Sequence, residues 1–408
     1  MTRGLALQHL NDAPLLVQDL QGFEPVVVDQ AYLSALGVAI QPAPETLVGL
    51  EQGSRALMSR LAAGILVPRS RVITAQIDLD SELEIHNYTG ACPTLTYEIN
   101  PVLGCHVGCQ YCLVTDGSHE QELTVWDNYP ALVARVLEEK HSERHFFYFS
   151  PKTEALQEPT LQTGVAHEIL RVFLRHYERH PGSMARLFFA SKGGVRQLEV
   201  RHDGESILDL FEQLAPWMQF NTSVSIMPSA LRRVLEPYAP SLEERLGAVR
   251  ACRQRGVLAN SALVQPILTP WLTPERLDAF FGELAASGIV NIKPELLTVS
   301  PACLAHLGQI AGHFDKALEL ALYEAYISPT NLGHKKQRDR TAPDKQRSIA
   351  AIQQLIAAAD AHGISASICF WVRSALDIDE ATIPVINRHG FQCLGYQTRL
   401  FETDGREI

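Results

Sequence analysis

No stretch of the 408-residue chain reaches the roughly 18 uninterrupted apolar residues of a membrane span, so no membrane association is expected. The opening residues, MTRGLALQHLNDAPLL, meet charge too early for a signal peptide, and a cytoplasmic protein is expected. Positive charge is not in excess: 35 Lys and Arg stand against 46 Asp and Glu, a net charge of −11. Proteins that grip duplex DNA through its phosphates usually carry a basic balance or a basic face. A small-molecule substrate is therefore expected in preference to nucleic acid. Glycine (26) and proline (23) are near ordinary usage, which excludes collagen-like and low-complexity chains. There is no internal repeat, no P-loop, no GxSxG and no GxGxxG following a strand. What is present is 46% hydrophobic and 20% charged residues, the composition of a globular protein with an ample core. The eight cysteines lack a secreted disulfide pattern. Cys92, Cys252, Cys303, Cys369 and Cys393 are dispersed, whereas Cys105, Cys109 and Cys112 crowd into GCHVGCQYC.

From residue 95 onward, strand-like and helix-like runs alternate, the pattern of a parallel sheet wrapped by helices. Strands are predicted over 95–101, 145–150, 187–191, 219–226, 258–268 and 289–297. Amphipathic helices are predicted between them, among others over 161–177, 207–214 and 277–286. Two helix starts are well signed: Ser241-Leu-Glu-Glu244 is a capping box, and Thr273-Pro-Glu275 offers an N-cap with proline at the first helical position. Past Pro301 one long helical region runs to Tyr326; a further helix over 346–362 leads to a strand over 364–372 and a last apolar segment over 391–401. Six successive β/α units predict an α/β fold, a partial (β/α)6 TIM-type barrel with its chemistry at the carboxyl ends of the strands. Residues 1–90 form an N-terminal auxiliary segment, with an extended arm over 72–85. Residues 91–300 form the core, and 301–408 complete or cap it.

Cys105-x3-Cys109-x2-Cys112 directly follows the first strand of that series. Thiolates at this spacing on a loop can converge on a small inorganic cluster. Three ligands are the informative number, since structural zinc and four-cysteine electron-transfer clusters both want a fourth. His106 is a conceivable fourth zinc ligand, but adjacent to Cys105 it should point away. A cluster held by three cysteines leaves one iron open. A non-enzymatic zinc scaffold is the alternative.

This spacing, with Tyr111 before the last cysteine, resembles the radical S-adenosylmethionine superfamily. A narrower resemblance, to the spore photoproduct lyase branch, covers roughly residues 97–297. It rests on INPVLGCHVGCQYC, on SPKTEALQEPTLQTG, on LFFASKGG, on SVSIMPSALRRVLEPYAPSLEERLGAVRACRQRGV with its Glu-Pro and Ser-led helix, and on Pro266-Ile-Leu268. The resemblance implies a [4Fe-4S] cluster on Cys105, Cys109 and Cys112 whose open iron binds S-adenosylmethionine. It also implies reductive cleavage to a 5′-deoxyadenosyl radical that abstracts hydrogen, and an electron donor such as flavodoxin or ferredoxin. By position, Ser191, Lys192 and Ser225 would contact the carboxylate or ribose of S-adenosylmethionine. Thr153 and Glu154 would lie near its amino group, with Tyr111 beside the cofactor.

The branch's hydrogen-donor cysteine, just before the loop after the second strand, is missing from FFYFSPKTEAL, and no match to its DNA-binding residues is evident. A relative recruited for a small metabolite or nucleoside-type substrate, in specialised metabolism, is therefore expected. DNA repair of the photoproduct lyase type is the alternative. Lyase, isomerase and oxidoreductase outcomes all remain open. Cys369 and Cys393 are the candidate hydrogen donors. The basic loop His334–Arg340 could bind a substrate anion or be merely solvated, and Lys293 and Glu295 could dock substrate or pair with each other. Two histidine pairs, His141 with His145 and His176 with His180, sit where helix patterns end, so the two rings of a pair need not share a face, and neither pair is expected to hold a metal.

Overall fold

The computed structural model describes residues 15–16, 20–85, 96–112, 114, 122–143, 145–327 and 342–368. Its centre is a seven-stranded parallel sheet. In spatial order this runs β1 (Thr96–Ile99), β2 (Phe146–Phe149), β3 (Arg186–Ser191), β4 (Met218–Val224), β5 (Leu258–Ile267), β6 (Asn291–Leu296) and β7 (Ser365–Ala366). The six predicted strands of the core are all there, each within two residues of its expected limits. The final strand is described only at Ser365–Ala366, and the apolar segment 391–401 lies outside the described residues.

Ahead of the sheet runs a long helix, α1 (Pro44–Ala62). Between successive strands come α2 (Tyr129–Glu139), α3 (Val165–Arg179), α4 (Ile207–Leu214), α5 (Leu242–Gln254) and α6 (Pro274–Ala286). Beyond β6 follow α7 (Pro301–Phe314), α8 (Lys316–Tyr326) and α9 (Lys345–Ala361). Parallel neighbours need such crossovers, because no hairpin can join them. Among the described residues β1 and β7 do not pair with each other, so the expected barrel appears here as an open parallel sheet.

The pleat explains where the core sits. In β2, Phe147 and Phe149 join the core shared with the helices, while Phe146 and Tyr148 face the other way with Phe188 and Leu263. On the helix side, Phe149 stacks on Phe189 at 4.5 Å, and Phe189 meets Phe211 of α4 edge-on at 4.9 Å. The opposite face is more polar. Buried Glu98, Gln219, Asn221 and Lys293 alternate with Tyr97, Met218, Phe220 and Ile292 of the helix-side core.

Both signed helix starts are as expected: Ser241 and Glu244 form the capping box, and Thr273 caps α6 ahead of Pro274. Two other helices are shorter than the sequence pattern suggested. The run 161–177 is split into Glu158–Gln162 and α3 by Gly164, at φ +77°, where a side chain would meet the His202 ring at 2.2 Å. The region from Pro301 to Tyr326 breaks at Asp315, whose extended backbone lets its carboxylate accept the Ala317 N–H at 2.9 Å and cap α8. The expected arm 72–85 begins as a true strand, Arg71–Ala75, paired in parallel with Glu122–Trp126.

The N-terminal segment is not peripheral. Leu50 and Leu57 of α1 share a buried cluster with Leu304 and Leu307 of α7, Tyr323 of α8, and Tyr111 of the cysteine loop. The helices touch because Gly53 has no side chain: a Cβ there would lie 2.1 Å from the Ala302 carbonyl oxygen. Gly53→Val should therefore push α1 off α7 and cost at least about 1–3 kcal/mol, as overpacking does. An unchanged calorimetric Tm would show that the contact is not tight.

Candidate active site

A parallel sheet gathers its outgoing loops at one edge. The cysteine loop follows β1, segment 150–157 follows β2, residues 191–194 follow β3, and Ser225 follows β4. The cysteine loop is clamped from several sides. Gln110 donates its backbone N–H to Leu235 (2.9 Å), the Tyr238 N–H reaches Val107 (3.3 Å), and the His106 N–H is accepted by Gln157 Oε1 (2.9 Å). The His106 ring faces Glu158 (3.3 Å) and Tyr238 (centroids 5.2 Å), in keeping with the expectation that it points away from the sulfurs.

Cys105, Cys109 and Cys112 are half-buried thiols, and none forms a disulfide. Burial, then the neighbouring Cys112 charge, pushes Cys105 up to about 12. Burial also pushes Cys109 up, partly offset by Lys192. These thiols become thiolates only when a cation compensates them, as a metal centre does. Three thiols on one loop are a donor set that suits a zinc ion or an iron–sulfur cluster chemically.

Around this loop the strand ends bring together most of the expected residues. Glu154 works as a brace. Its Oε1 accepts from the Ser191 hydroxyl and from the Leu156 N–H (3.0 Å), and its Oε2 accepts the Lys192 N–H at 2.7 Å. Burial lowers the Lys192 pKa, but Cys109 and Glu236 outweigh it, so the net shift is upward and the ammonium stays charged. Thr153 Oγ1 and Ser150 Oγ are buried without a hydrogen-bond partner. Ser150 also sits at φ +50°, a left-handed conformation that a non-glycine residue adopts at a cost.

Tyr111 and Ser225 meet on Glu236, the acid of the Glu-Pro pair. Both hydroxyls donate to Glu236 Oε1, Ser225 at 3.2 Å, while Arg245 of α5 pairs with Glu236 Oε2. Glu236 and Arg245 are both fully buried. Burial would raise the Glu236 pKa, but Arg245, Lys192 and the hydrogen bonds from Arg245 and Tyr111 prevail and hold it down to about 2. Tyr111 is thus a spacer between the loop and this carboxylate. The only legible signal was the capping box, which sets Arg245 on the first turns of α5.

A second chain of contacts ties α1 to the loop. His306 of α7 lies 2.6 Å from Gln110 Oε1 through Nε2 and 2.7 Å from Arg60 through Nδ1. Burial, then Arg60, lowers the His306 pKa well below the usual range. A neutral ring that donates from Nε2 and accepts at Nδ1 satisfies both neighbours. Cys303, dispersed in sequence, packs under the same loop with its Sγ 3.4 Å from the Gln110 carbonyl. Lys293 and Glu295 pair at 3.5 Å. Cys369, Cys393 and the loop 334–340 lie outside the described residues.

A groove of about 1170 Å³ lies between the short helix Ser229–Leu235, α5 and α6, and of the site residues described above only Glu236 lines it. The space beside the cysteine loop is small, about 20 Å³, and is bounded by His106, Glu154, Gln157, Lys192 and Tyr238. Chemistry, not volume, marks the site.

No known family model matches the chain, and no curated protein matches it. Seven chains of solved structures do. Two are variants of spore photoproduct lyase, one a tyrosine-to-phenylalanine and one a cysteine-to-serine mutant, with TM-scores of 0.47 and 0.46. Each is 15% identical in sequence, over 81% of this chain and 86% of the other. A likeness at this level assigns neither an activity nor a site. No helix among the described residues is long and apolar enough to cross a membrane.

Proposed function

We propose that the protein is a radical S-adenosylmethionine enzyme acting on a polar small molecule or a nucleoside-type substrate, with Cys105, Cys109 and Cys112 as ligands of a [4Fe-4S] cluster. When bound, such a cluster supplies an open iron for the amino and carboxylate groups of S-adenosylmethionine and the electron that cleaves it to methionine and a 5′-deoxyadenosyl radical. The observation that carries this reading is one strand edge with three half-buried free thiols, one retained cation and two orphaned hydroxyls.

In this reading Lys192 neutralises the carboxylate of the methionine head. Ser150 and Thr153 offer hydroxyls to its polar groups, and Glu154 holds the Ser191–Lys192 corner in place. Tyr111 and Ser225 act through Glu236, which fixes the loop against α5. The buried Glu98, Asn221 and Lys293 on the face away from the helices support a polar substrate. Cys369 and Cys393 are kept as candidate hydrogen donors, and a flavodoxin or ferredoxin as the source of electrons.

Anaerobic reconstitution should give a brown protein with about four irons and four sulfides per chain. With a strong reductant it should form 5′-deoxyadenosine. A colourless protein holding one zinc and no sulfide would sink the reading. Oligonucleotide titration at two salt concentrations should show no salt-dependent binding; tight binding that weakens steeply with salt would point to DNA. Lys192→Ala removes a charge-assisted contact worth roughly 1.5–3 kcal/mol. Affinity for S-adenosylmethionine should then fall on the order of tenfold to a hundredfold, with iron content unchanged. An unaltered dissociation constant would remove Lys192 from the site.

A further inference from the structure

We propose a second metal site, for a divalent transition ion such as zinc, formed by Glu138, His176 and His180 at the opposite edge of the sheet. Glu138 lies in the last turn of α2, and His176 and His180 lie in and just past the last turn of α3. Those helices lead into β2 and β3, so their ends lie where the strands begin, away from the cysteine loop. The sequence suggested that the two rings need not share a face. The fold corrects this: their centroids are 5.1 Å apart, and Glu138 closes on them from the neighbouring helix.

The ligand atoms of the three residues all lie within 4.8 Å of one another. His180 Nε2 is 3.1 Å from each carboxylate oxygen of Glu138. A tetrahedral zinc with bonds of about 2.0–2.1 Å has edges of about 3.3 Å, so shifts of a few tenths of an ångström would bring this pair to coordination. His176 supplies the independent sign of a ligand. It is 1% exposed; its Nε2 bonds Ser183 Oγ at 2.9 Å, yet its Nδ1 is buried without a hydrogen-bond partner. A ligating histidine usually has that arrangement, one ring nitrogen anchored to a protein oxygen and the other presenting its lone pair.

Other groups face the site. His141 stacks on His180 at 4.6 Å, and Arg179 lies 3.2 Å from Glu138 Oε2. Arg179 can stay on that oxygen as an outer partner while Oε1 binds the ion. Among the described residues one further group of this kind, Glu168, His202 and Asp203, is already spanned by Arg171, which bonds Glu168 and sits 3.8 Å from Asp203. An ion at the Glu138 site would pin the ends of α2 and α3 together. That is a structural role, at the edge of the parallel sheet where its strands begin, away from the carboxyl ends that carry chemistry in α/β folds.

The test is equilibrium dialysis of the reconstituted protein against micromolar zinc, with bound metal counted by mass spectrometry. The wild type should hold one zinc per chain more than His180→Ala and one more than Glu138→Gln. Zinc should raise the Tm of the wild type and leave both variants unmoved. His180 and Glu138 have solvent-accessible side chains, and circular dichroism checks that each variant is folded. Any metal taken up by the cysteine loop contributes equally to all three proteins and cancels in the difference. Equal zinc content in the three proteins would overturn the proposal.

Discussion

Alanine at any one of Cys105, Cys109 or Cys112 should reduce S-adenosylmethionine cleavage to background and deplete the protein of iron and sulfide. A three-cysteine cluster has no spare protein ligand. The same substitutions should leave the metal-free chain as stable as the wild type. Burial raises Cys105 and Cys109 far above their usual range, so each is a neutral thiol without metal, and its removal deletes no favourable charge. The measurements are iron and sulfide content, 5′-deoxyadenosine formation and Tm of the metal-free protein. Full cleavage by any single variant would take that cysteine out of the ligand set.

The other large effect belongs to the buried pair. Arg245→Ala leaves the Glu236 carboxylate uncompensated at a site with no exposure, and such losses cost about 3–5 kcal/mol. A double variant, Glu236→Leu with Arg245→Met, should recover much of the stability, because well-packed apolar groups can replace a buried pair. It should not recover S-adenosylmethionine binding, since the Tyr111 and Ser225 hydroxyls lose their acceptor. Denaturant titration and ligand affinity separate the two outcomes; full recovery of both would reduce the pair to a packing element. The pH dependence follows in sign. The Glu236 pKa falls from 4.5 to about 2 on folding, so its stabilisation is complete above about pH 4.5. It is lost as pH drops towards about 2. The double variant should be flatter across that window.

The strands were legible because each is a short apolar or aromatic run ended by a polar strand terminus, and their alternation with helices dictated a parallel sheet. The cysteine loop stood out by its spacing, and Glu154, Ser191, Lys192 and Ser225 entered only through the family resemblance; the fold brings them to neighbouring strand ends. What escaped are contacts that local patterns cannot encode. Glu236 and Arg245 read as two charges of an ordinary surface helix and its leader, yet both are buried by the approach of the cysteine loop. Arg60, Gln110 and His306 are distant in sequence, and nothing in any of the three segments announces the others. The Glu138 group failed similarly, because its acid comes from a different helix than its histidines. The break at Asp315 was missed since a helix-compatible composition continues through it, and only the capping carboxylate stops the run.

The link from Arg60 through His306 to Gln110 has a consequence for the order of events during synthesis. The cysteine loop leaves the ribosome early, but the partners that clamp it from below, His306 and Cys303, follow nearly 200 residues later, and the α8 helix that completes their packing ends at Tyr326. At about 5–20 residues per second, the nascent chain carries three solvent-accessible thiols for roughly 10–40 s before that clamp can close. Over that interval the fold does not shield the thiols from oxidation, from mispairing with Cys92 or from a stray ion. If the loop holds the proposed cluster, its loading is expected only after residue 326 has been made, and a late-added cluster would follow from chain order itself.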